Sequence, residues 1–180
     1  MSDLRPPSPF FRLHLDRLRE SSHLGPALDL ACGRGRHALA LAAAGGRAIG
    51  VDRDTSALLA LRQRALAAQL PVGTLRADLE TRLGIPFRSG SCGALLVFRF
   101  LFRPLAESIR TTLAPGGLLL YETFTTEQQR LGGGPHNPAF LLRPGELREL
   151  FAGLEIVDYW EGVTGGERPE AMAQLVARRA

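Results

Sequence analysis

Short apolar runs alternate with amphipathic stretches along most of the chain, and this alternation restricts its fold more than any other feature. The apolar runs predict strands at 27–31, 48–51, 72–77, 94–98 and 118–123, and a terminal pair at 154–160 and 172–177. The amphipathic stretches predict helices at 10–22, 35–44, 55–69, 104–113 and 144–151. The run at 94–98 is apolar at every position, as strands buried in a parallel sheet are. The pattern therefore predicts an α/β fold with a doubly wound sheet.

Two regions stand outside this alternation. Residues 1–25 precede the first strand and are expected to form a helical cover. The segment 125–143 contains three consecutive glycines and little periodicity, and a connection this long in a compact domain is more often a functional lid than a plain linker. No repeat or linker divides the chain, so residues 1–180 are expected to form a single domain.

The composition is that of a globular protein without a membrane span. Of the 180 residues, 45% are hydrophobic and 22% are charged. No apolar run approaches the roughly 20 residues that a membrane helix needs. Cys32 and Cys92 show neither disulfide nor metal-ligand spacing, and the first residues lack the pattern of a secretory signal. We therefore expect a cytoplasmic protein that binds neither a metal nor a membrane.

All 22 basic residues are arginine, and the formal net charge is +4. Two interpretations stay open. One is the codon usage of a GC-rich genome; the other is a partner with phosphate or carboxylate groups, which guanidinium groups bind in bidentate fashion. Because the arginines are spread along the chain, charge alone indicates no nucleic-acid partner.

The densest motif is the sequence LDLACGRGRH at 28–37, between the first predicted strand and the helix after it. Gly33 and Gly35 would let a ligand approach the backbone closely, and the start of the helix would point backbone N–H groups at it. The spacing of Gly33, Gly35 and Ala38 also fits the loose dinucleotide-binding pattern, which by itself is weak evidence.

Three aspartates stand at or just after the ends of three predicted strands. Asp29 lies four residues before Gly33, Asp52 ends the second strand, and Asp78 follows the third. The carboxyl ends of parallel strands form one edge of the sheet, where ligands bind. Asp29 would repel a pyrophosphate but suits a cationic amine or sulfonium, whereas Asp52 can accept both hydroxyls of a ribose and Asp78 the amine of an adenine. The three acids therefore indicate a nucleoside joined to a cationic amino acid.

These motifs resemble those of class I S-adenosylmethionine (SAM)-dependent methyltransferases in content and order. The segment 29–35 is similar to motif I, Asp52 to motif II, and Asp78 with Leu79 to motif III. The resemblance covers most of the chain and is strongest to small bacterial methyltransferases of the tellurite-resistance type. The stretches similar to that group are 98–101, 121–124 and 137–147. The resemblance implies SAM as the cofactor and a Rossmann-like, mostly parallel seven-stranded sheet with helices on both faces.

The resemblance also implies which residues bind SAM. Gly33 and Gly35 would lie against its methionine part. Asp29 would hold the amino group, directly or through water. Asp52 would take the ribose hydroxyls, with Arg53 beside the adenine.

The same resemblance assigns the remaining cofactor positions. Asp78 would bond the adenine amine together with the backbone N–H of Leu79, and Phe98 with Arg99 would border the methyl group. His37 opens the first helix beside the glycine turn. Its imidazole is expected either to contact the cofactor carboxylate or to have a structural role.

Two positions depart from the family pattern. Ala31, also assigned to the cofactor site, stands where such loops often have glycine. Alanine should be tolerated there if its φ is negative. Gly93 stands where an aspartate commonly opens the fourth strand, and that acid is usually structural.

The candidate substrate-binding residues lie at the ends of the fourth and fifth strands and in the lid. We expect Arg99 and Glu122, which are also the candidate catalytic residues, to face each other across an acceptor pocket roofed by Asn137, Phe140 and Arg143. The arginines suit an anionic small molecule or a metalloid oxyanion. The alternative is that Arg99 and Glu122 form a structural ion pair without substrate contact.

Two other functions stay open at this point. A nicotinamide-dependent oxidoreductase would explain the glycine spacing and Asp52 but leaves Asp29 and Asp78 without a role. A non-catalytic module that binds SAM or S-adenosylhomocysteine would explain the small size. We favour methyl transfer from SAM, by in-line displacement, to a small acceptor that the sequence does not identify.

Overall fold

The computed structural model describes residues 5–180, so the first four residues of the predicted N-terminal cover lie outside the described part. The strands are β1 (Ala27–Leu30), β2 (Ala48–Asp52), β3 (Val72–Arg76), β4 (Cys92–Phe98), β5 (Leu113–Phe124), β6 (Glu155–Val163) and β7 (Ala171–Arg178). The α-helices are α1 (Pro9–Leu13), α2 (Leu15–Ser21), α3 (Arg36–Ala43), α4 (Thr55–Ala67), α5 (Ala106–Thr112), α6 (Gln128–Leu131) and α7 (Glu146–Leu150), and short 3₁₀ helices span Arg103–Leu105 and Pro138–Phe140. Within residues 5–180, no helix has the length and apolar character required to cross a membrane.

The strands form one seven-stranded sheet in the order β3-β2-β1-β4-β5-β7-β6. The neighbours from β3 through to β5 are parallel, and β7 runs antiparallel to both β5 and β6. This confirms the predicted Rossmann-like, mostly parallel sheet. The strand order reverses between β1 and β4, and in sheets of this kind ligands bind outside the carboxyl ends of the strands at the reversal.

Helices cover both faces of the sheet, because side chains along each central strand alternate between two apolar layers. One layer contains Leu28, Leu95 and Leu119 from the strands, with Ile109 of α5 and Leu147 of α7. The opposite layer contains Ala27, Ala94, Leu96 and Leu120 from the strands, with Phe10, Phe11 and Leu18 of the N-terminal helices and Leu41 of α3. The apolar pattern of the strands is thus explained by burial on both sides.

The helix predicted at 10–22 is two short helices, α1 and α2, which meet at His14. The backbone of His14 leaves the helical conformation, with φ −108° and ψ 11°. The bend lets Phe10 and Phe11 of α1 pack against Phe98 at the end of β4. The prediction of one continuous helix is therefore wrong, and the bend carries the N-terminal cover to the carboxyl edge of the sheet.

Gly93, the second departure from the family pattern, has a packing explanation. A Cβ atom on this residue would lie 2.0 Å from the carbonyl oxygen of Ser21 and 2.7 Å from that of Gly25. The backbone that follows α2 therefore crosses β4 in direct contact with Gly93. An aspartate here would push the N-terminal cover off the sheet.

The predicted lid at 125–143 is fastened to the rest of the domain near its C-terminal end. The guanidinium of Arg103 pairs with the Glu146 carboxylate at 2.5 Å. It also donates to the backbone carbonyls of Ala139 at 2.8 Å and Leu141 at 2.9 Å. This part of the segment is held in place by charge-assisted hydrogen bonds.

Candidate functional site

The turn between β1 and α3 contains three residues in the left-handed backbone region. The φ angles are 51° at Ala31, 53° at Gly33 and 73° at Gly35. Glycine adopts this conformation freely, whereas for alanine it costs about 1–2 kcal/mol. The condition under which alanine would be tolerated without strain at position 31, a negative φ, is therefore not met. The Cys32 N–H donates to the Val51 carbonyl at 3.1 Å, so the pairing of β1 with β2 continues into the start of the turn.

The two glycines of this turn have different neighbours. Gly33 has no atom within 4 Å of where a Cβ would lie, so its backbone is open to the cleft. A Cβ on Gly35 would lie 2.3 Å from Leu61 of α4. Gly35 was predicted to lie against the methionine part of a ligand, but the structure gives it a packing role between α3 and α4.

Asp52 ends β2 and holds the glycine turn in place. Its Oδ2 accepts the N–H of Gly33 at 2.7 Å, and its Oδ1 accepts the N–H of Asp54 at 2.9 Å. Each carboxylate oxygen has a second lone pair. Both oxygens therefore retain an acceptor position for a further donor such as a ribose hydroxyl.

A cavity of about 160 Å³ opens beside Asp52, and we call it the Asp78 cavity. Its lining residues are Ala31, Asp52, Arg53, Ala77, Asp78, Leu79, Glu80 and Phe100. Asp78 accepts the N–H of Glu80 at 2.9 Å, and Arg53 pairs with Glu80 at 2.5 Å. The structure thus brings together the four residues predicted for the adenosine part of SAM, namely Asp52, Arg53, Asp78 and Leu79.

A second cavity, of about 380 Å³, lies on the other side of the glycine turn, and we call it the Asp29 cavity. Its lining residues are Arg5, Asp29, Ala31, Cys32, Gly33, Arg34, Arg36, His37, Phe98 and Arg99. Ala31 lines both this cavity and the Asp78 cavity. The two spaces are therefore adjacent and follow the turn, as an extended nucleoside–amino acid ligand would require.

Asp29 is the most deeply buried acid of the site, with 1% of its surface exposed. Desolvation raises the pKa of its carboxyl to about 7, although the Ala38 N–H, which donates to it at 3.1 Å, opposes the shift. The charge of Arg36 opposes the shift as well, but burial outweighs both. A cationic group bound in the Asp29 cavity would favour the charged carboxylate further.

His37 lines the Asp29 cavity and fastens the N-terminal segment. Its ring lies on Phe98, with centroids 3.9 Å apart, and its Nε2 accepts the backbone N–H of Ser8 at 3.2 Å. Burial lowers the pKa of His37 to about 3, and the charges of Arg36 and Arg99 lower it further. The imidazole is therefore neutral and acts as an acceptor. A structural role is thus visible, and a contact with the cofactor carboxylate stays a prediction.

A third cavity, of about 540 Å³, lies beside the Asp29 cavity, and we call it the Glu122 cavity. The segment 5–9 and the loop 164–170 cover it, and Arg36, Arg99 and Glu122 face into it. Arg36 and Arg99 line both this cavity and the Asp29 cavity. The two spaces therefore adjoin at these arginines.

Glu122 is buried near the end of β5. Its Oε2 accepts the Ser8 hydroxyl at 3.0 Å and the side-chain amide of Gln174 at 2.7 Å. Burial raises the pKa of the Glu122 carboxyl, and these two hydrogen bonds and the charges of Arg99 and Arg36 act in the opposite direction. The group is a better proton acceptor than an exposed glutamate.

Arg99 follows β4 in a left-handed conformation, with φ 58°. Its backbone N–H donates to the Glu122 carbonyl at 2.8 Å. Its guanidinium pairs with the Glu170 carboxylate and lies 5.0 Å from the centre of the Phe124 ring. Arg99 and Glu122 therefore line one cavity, and the Arg99 side chain pairs with Glu170 and not with Glu122. A contact of either residue with an acceptor stays a prediction.

None of the three lid residues predicted to roof the acceptor pocket lines the Glu122 cavity. Phe140 lines a smaller cavity together with Arg99. Asn137 instead caps the second 3₁₀ helix, and Arg143 forms exposed ion pairs with acids of α7. Neither lies in the Glu122 cavity, because the N-terminal segment and the loop 164–170 occupy the position that was assigned to them.

Sequence reasoning missed Ser8, Glu170 and Gln174, which complete the Glu122 cavity. They come from the N-terminal segment, the residue before β7 and β7 itself, and none belongs to a motif. The one available signal was the sequence PPSP at 6–9, since proline favours an extended segment. Nothing local indicates which side chains such a segment meets.

A parallel sheet with a left-handed glycine turn after β1, and with acids at the ends of β1, β2 and β3, defines the class I SAM-dependent methyltransferases. The chain belongs to the methyltransferase domain family, whose model matches residues 27–117. None of the curated proteins compared with the chain matches it. The chain is an enzyme with SAM as its cofactor, so the nicotinamide alternative is set aside.

Solved structures share the fold along nearly the whole chain. TehB from Haemophilus influenzae has a TM-score of 0.72 and 19% identity over 92% of this chain and 62% of TehB, so the chain spans less than two thirds of that protein. A SAM-dependent methyltransferase from Methanosarcina mazei has a TM-score of 0.73 and 16% identity over 97% and 99% of the two chains. Geranyl diphosphate C-methyltransferase from Streptomyces coelicolor A3(2) has a TM-score of 0.69 and 15% identity over 94% and 80%. At these identities the likeness shows the fold and not the acceptor.

Proposed function

We propose that this enzyme transfers the methyl group of SAM to a small anionic acceptor bound in the Glu122 cavity. The observation that carries the proposal is the position of Arg99, which lines both the Asp29 cavity and the Glu122 cavity. A methyl donor in the first and an acceptor in the second would meet beside this residue. Bound SAM supplies a methyl group on a sulfonium, which is already an activated leaving group. The protein then has to align the two reactants and exclude water.

The adenosine part of SAM is proposed to occupy the Asp78 cavity. Asp52 would accept the ribose hydroxyls on the lone pairs that the Gly33 and Asp54 N–H groups leave open. Asp78 and the Leu79 N–H would bond the adenine, with Arg53 at its edge. The grouping of these residues around one cavity supports the assignment.

The methionine part is proposed to occupy the Asp29 cavity. Asp29 would bind its ammonium group, which would offset the cost of burying that carboxylate. Gly33 and Ala31 would lie against it through their backbone, and Phe98 would border the methyl group. His37 would hold the cover closed through Ser8.

Positive charge around the Glu122 cavity supports an anionic acceptor. Arg5, Arg36, Arg99 and Arg168 line it. Guanidinium groups bind carboxylates and phosphates in bidentate fashion. Geranyl diphosphate C-methyltransferase, a structural neighbour, is named for an anionic small-molecule acceptor of this kind.

Glu122 is the proposed proton acceptor for the methylated atom. Its buried carboxyl, with a raised pKa, would take a proton from a hydroxyl or amine of the acceptor. A base of this kind is required only when the nucleophile carries a proton at the working pH.

A single domain and a location in the cytoplasm remain predictions of the sequence.

Calorimetry and a methyl-release assay test the proposal. SAM and S-adenosylhomocysteine should bind with measurable heat and NAD should not. A panel of small carboxylates and phosphates should then include a methylated acceptor. Tight SAM binding with no turnover on any anion would favour the non-catalytic binding module.

Glu122→Gln separates catalysis from binding. This variant should bind SAM normally and lose turnover by about 10²-fold or more, because the amide cannot accept the proton. Glu155→Gln, which removes an exposed carboxylate of β6, is the matched control and should be unaffected. Equal loss of SAM binding and turnover in Glu122→Gln would assign the residue to structure.

A further inference from the structure

One of the arginines that line the Glu122 cavity is paired with an acid of the protein itself. The carboxylate of Glu170 meets the Arg99 guanidinium through two parallel contacts, Nη1 to Oε1 at 2.8 Å and Nη2 to Oε2 at 2.5 Å. This planar, two-point geometry is the one in which a guanidinium binds a free carboxylate. Both residues line the Glu122 cavity, so the pair lies inside the proposed acceptor site.

We propose that Glu170 occupies the anion subsite of the resting enzyme and that a carboxylate group of the acceptor displaces it from Arg99. The inference rests on the proposed function, because it takes the Glu122 cavity as the acceptor site. It narrows the acceptor class to small molecules that carry a carboxylate. It also makes Glu170 a competitor that the acceptor must overcome.

Arg99 is the residue that stays in place during this exchange. Its backbone is held at φ 58° by the hydrogen bond from its N–H to the Glu122 carbonyl. Its guanidinium lies over the ring of Phe124. A left-handed backbone in a non-glycine residue is strained and is found mostly at functional sites. The strain fixes the root of the Arg99 side chain at the border of the two cavities.

Glu170 is the residue that the acceptor would displace. Its backbone N–H donates to the Thr164 hydroxyl at 2.9 Å, and its carbonyl accepts the Thr164 N–H at 2.9 Å. These bonds close the base of the loop 164–170 and do not involve the carboxylate. The Glu170 side chain can therefore leave Arg99 by rotation, without unfolding of the loop.

The ion pair is accessible and weak enough to exchange. The side chains of Arg99 and Glu170 are 30% and 32% exposed. Ion pairs with this much water access contribute little net stability. An incoming carboxylate would replace the contacts of Glu170 one for one, and Arg168 on the same loop adds positive charge at the opening.

The test is a titration of the ¹⁵N-labelled enzyme with sodium acetate at constant ionic strength, with sodium chloride as the balancing salt. The Nε–H signal of Arg99 reports binding. Glu170→Gln should bind acetate roughly fivefold more tightly than the native enzyme, because the competing charge is gone. Glu167→Gln removes the same charge from the same loop without touching the pair and is the matched control. Arg99→Met should show no saturable acetate binding at this site.

Three outcomes would overturn the inference. Equal increases in acetate affinity in Glu170→Gln and Glu167→Gln would show that the effect comes from the net charge of the loop and not from the Arg99–Glu170 pair. Unchanged acetate affinity with lower stability in Glu170→Gln would make the pair a structural brace. If the affinity for inorganic phosphate rises in Glu170→Gln as much as the affinity for acetate, the assignment of the acceptor as a carboxylate would be refuted. The proposed function is tested separately. If no anion is methylated but Glu170→Gln binds acetate more tightly, the proposed reaction is overturned and the displacement of Glu170 from Arg99 is still supported.

Discussion

Ser8 and Glu122 lie 114 positions apart in the sequence, yet the Ser8 hydroxyl donates a hydrogen bond of 3.0 Å to the Glu122 carboxylate. The backbone N–H of Ser8 also donates to His37 at the start of α3. One serine thus ties the N-terminal cover to both the cofactor side and the acceptor side of the cleft. The position of the N-terminal cover and the protonation of Glu122 therefore depend on the same residue.

Ser8→Ala should raise the pKa of Glu122. The Ser8 hydrogen bond favours the charged carboxylate, so its loss shifts the equilibrium toward the neutral acid. The measurement is a pH titration of the Glu122 carboxyl carbon by NMR, which requires no knowledge of the acceptor. Ser8→Thr retains a hydroxyl and should restore the native value. An unchanged Glu122 titration in Ser8→Ala would show that the contact is electrostatically unimportant.

Asp52→Ala should weaken SAM binding by about 1.5–3 kcal/mol, the usual cost of losing charge-assisted hydrogen bonds. Calorimetry measures the change. Asp54→Ala is the matched control, since Asp54 caps α4 through the N–H groups of Ser56 and Ala57. The control should lose about 1 kcal/mol of stability and keep its SAM affinity. Equal SAM affinity in native enzyme and Asp52→Ala would refute the ribose assignment.

Asp29 should make the ligand-free enzyme less stable as the pH rises. Between the ordinary pKa of an aspartate and about 7, folded Asp29 holds a proton that the unfolded chain has released. The free energy of unfolding should therefore fall through this range and level off above it. Asp29→Asn has no proton to lose and keeps an oxygen for the Ala38 N–H.

Urea unfolding at about pH 5 and about pH 8 checks the Asp29 prediction. The free energy of unfolding of Asp29→Asn should exceed that of the native enzyme by about 1–3 kcal/mol at the higher pH and by less at the lower pH. The comparison of the two proteins removes the parallel contribution of Glu122, whose pKa burial also raises. A constant difference between them at both pH values would contradict the assignment to Asp29.

Ala31→Gly should stabilise the enzyme by about 0.5–1 kcal/mol. Glycine removes the strain of φ 51°, and its greater freedom in the unfolded chain offsets part of the gain. Gln69→Gly is the matched control, because Gln69 has φ 53° after α4, away from both cofactor cavities. Thermal unfolding should show a similar gain in both variants. A loss of stability in Ala31→Gly alone would mean that the Ala31 methyl group makes a contact worth more than the strain.

The sequence by itself determined the architecture and the cofactor side of the cleft. The strand periodicity, the glycine turn and the aspartates at Asp29, Asp52 and Asp78 are local signals. Because parallel strands place their carboxyl ends at one edge, these signals fix where the acids lie in space. The order of the last two strands, the bend at His14 and the left-handed conformation of Ala31 required coordinates.

Only the tertiary structure decided the acceptor side. Which carboxylate pairs with Arg99, and which segment covers Glu122, depend on how the N-terminal cover and the loop 164–170 fold back over the sheet. Burial then raised the pKa of Asp29 and lowered that of His37, since desolvation is a property of the packed protein and not of a motif. Contacts between residues 71 and 114 positions apart leave no periodic trace in a single sequence.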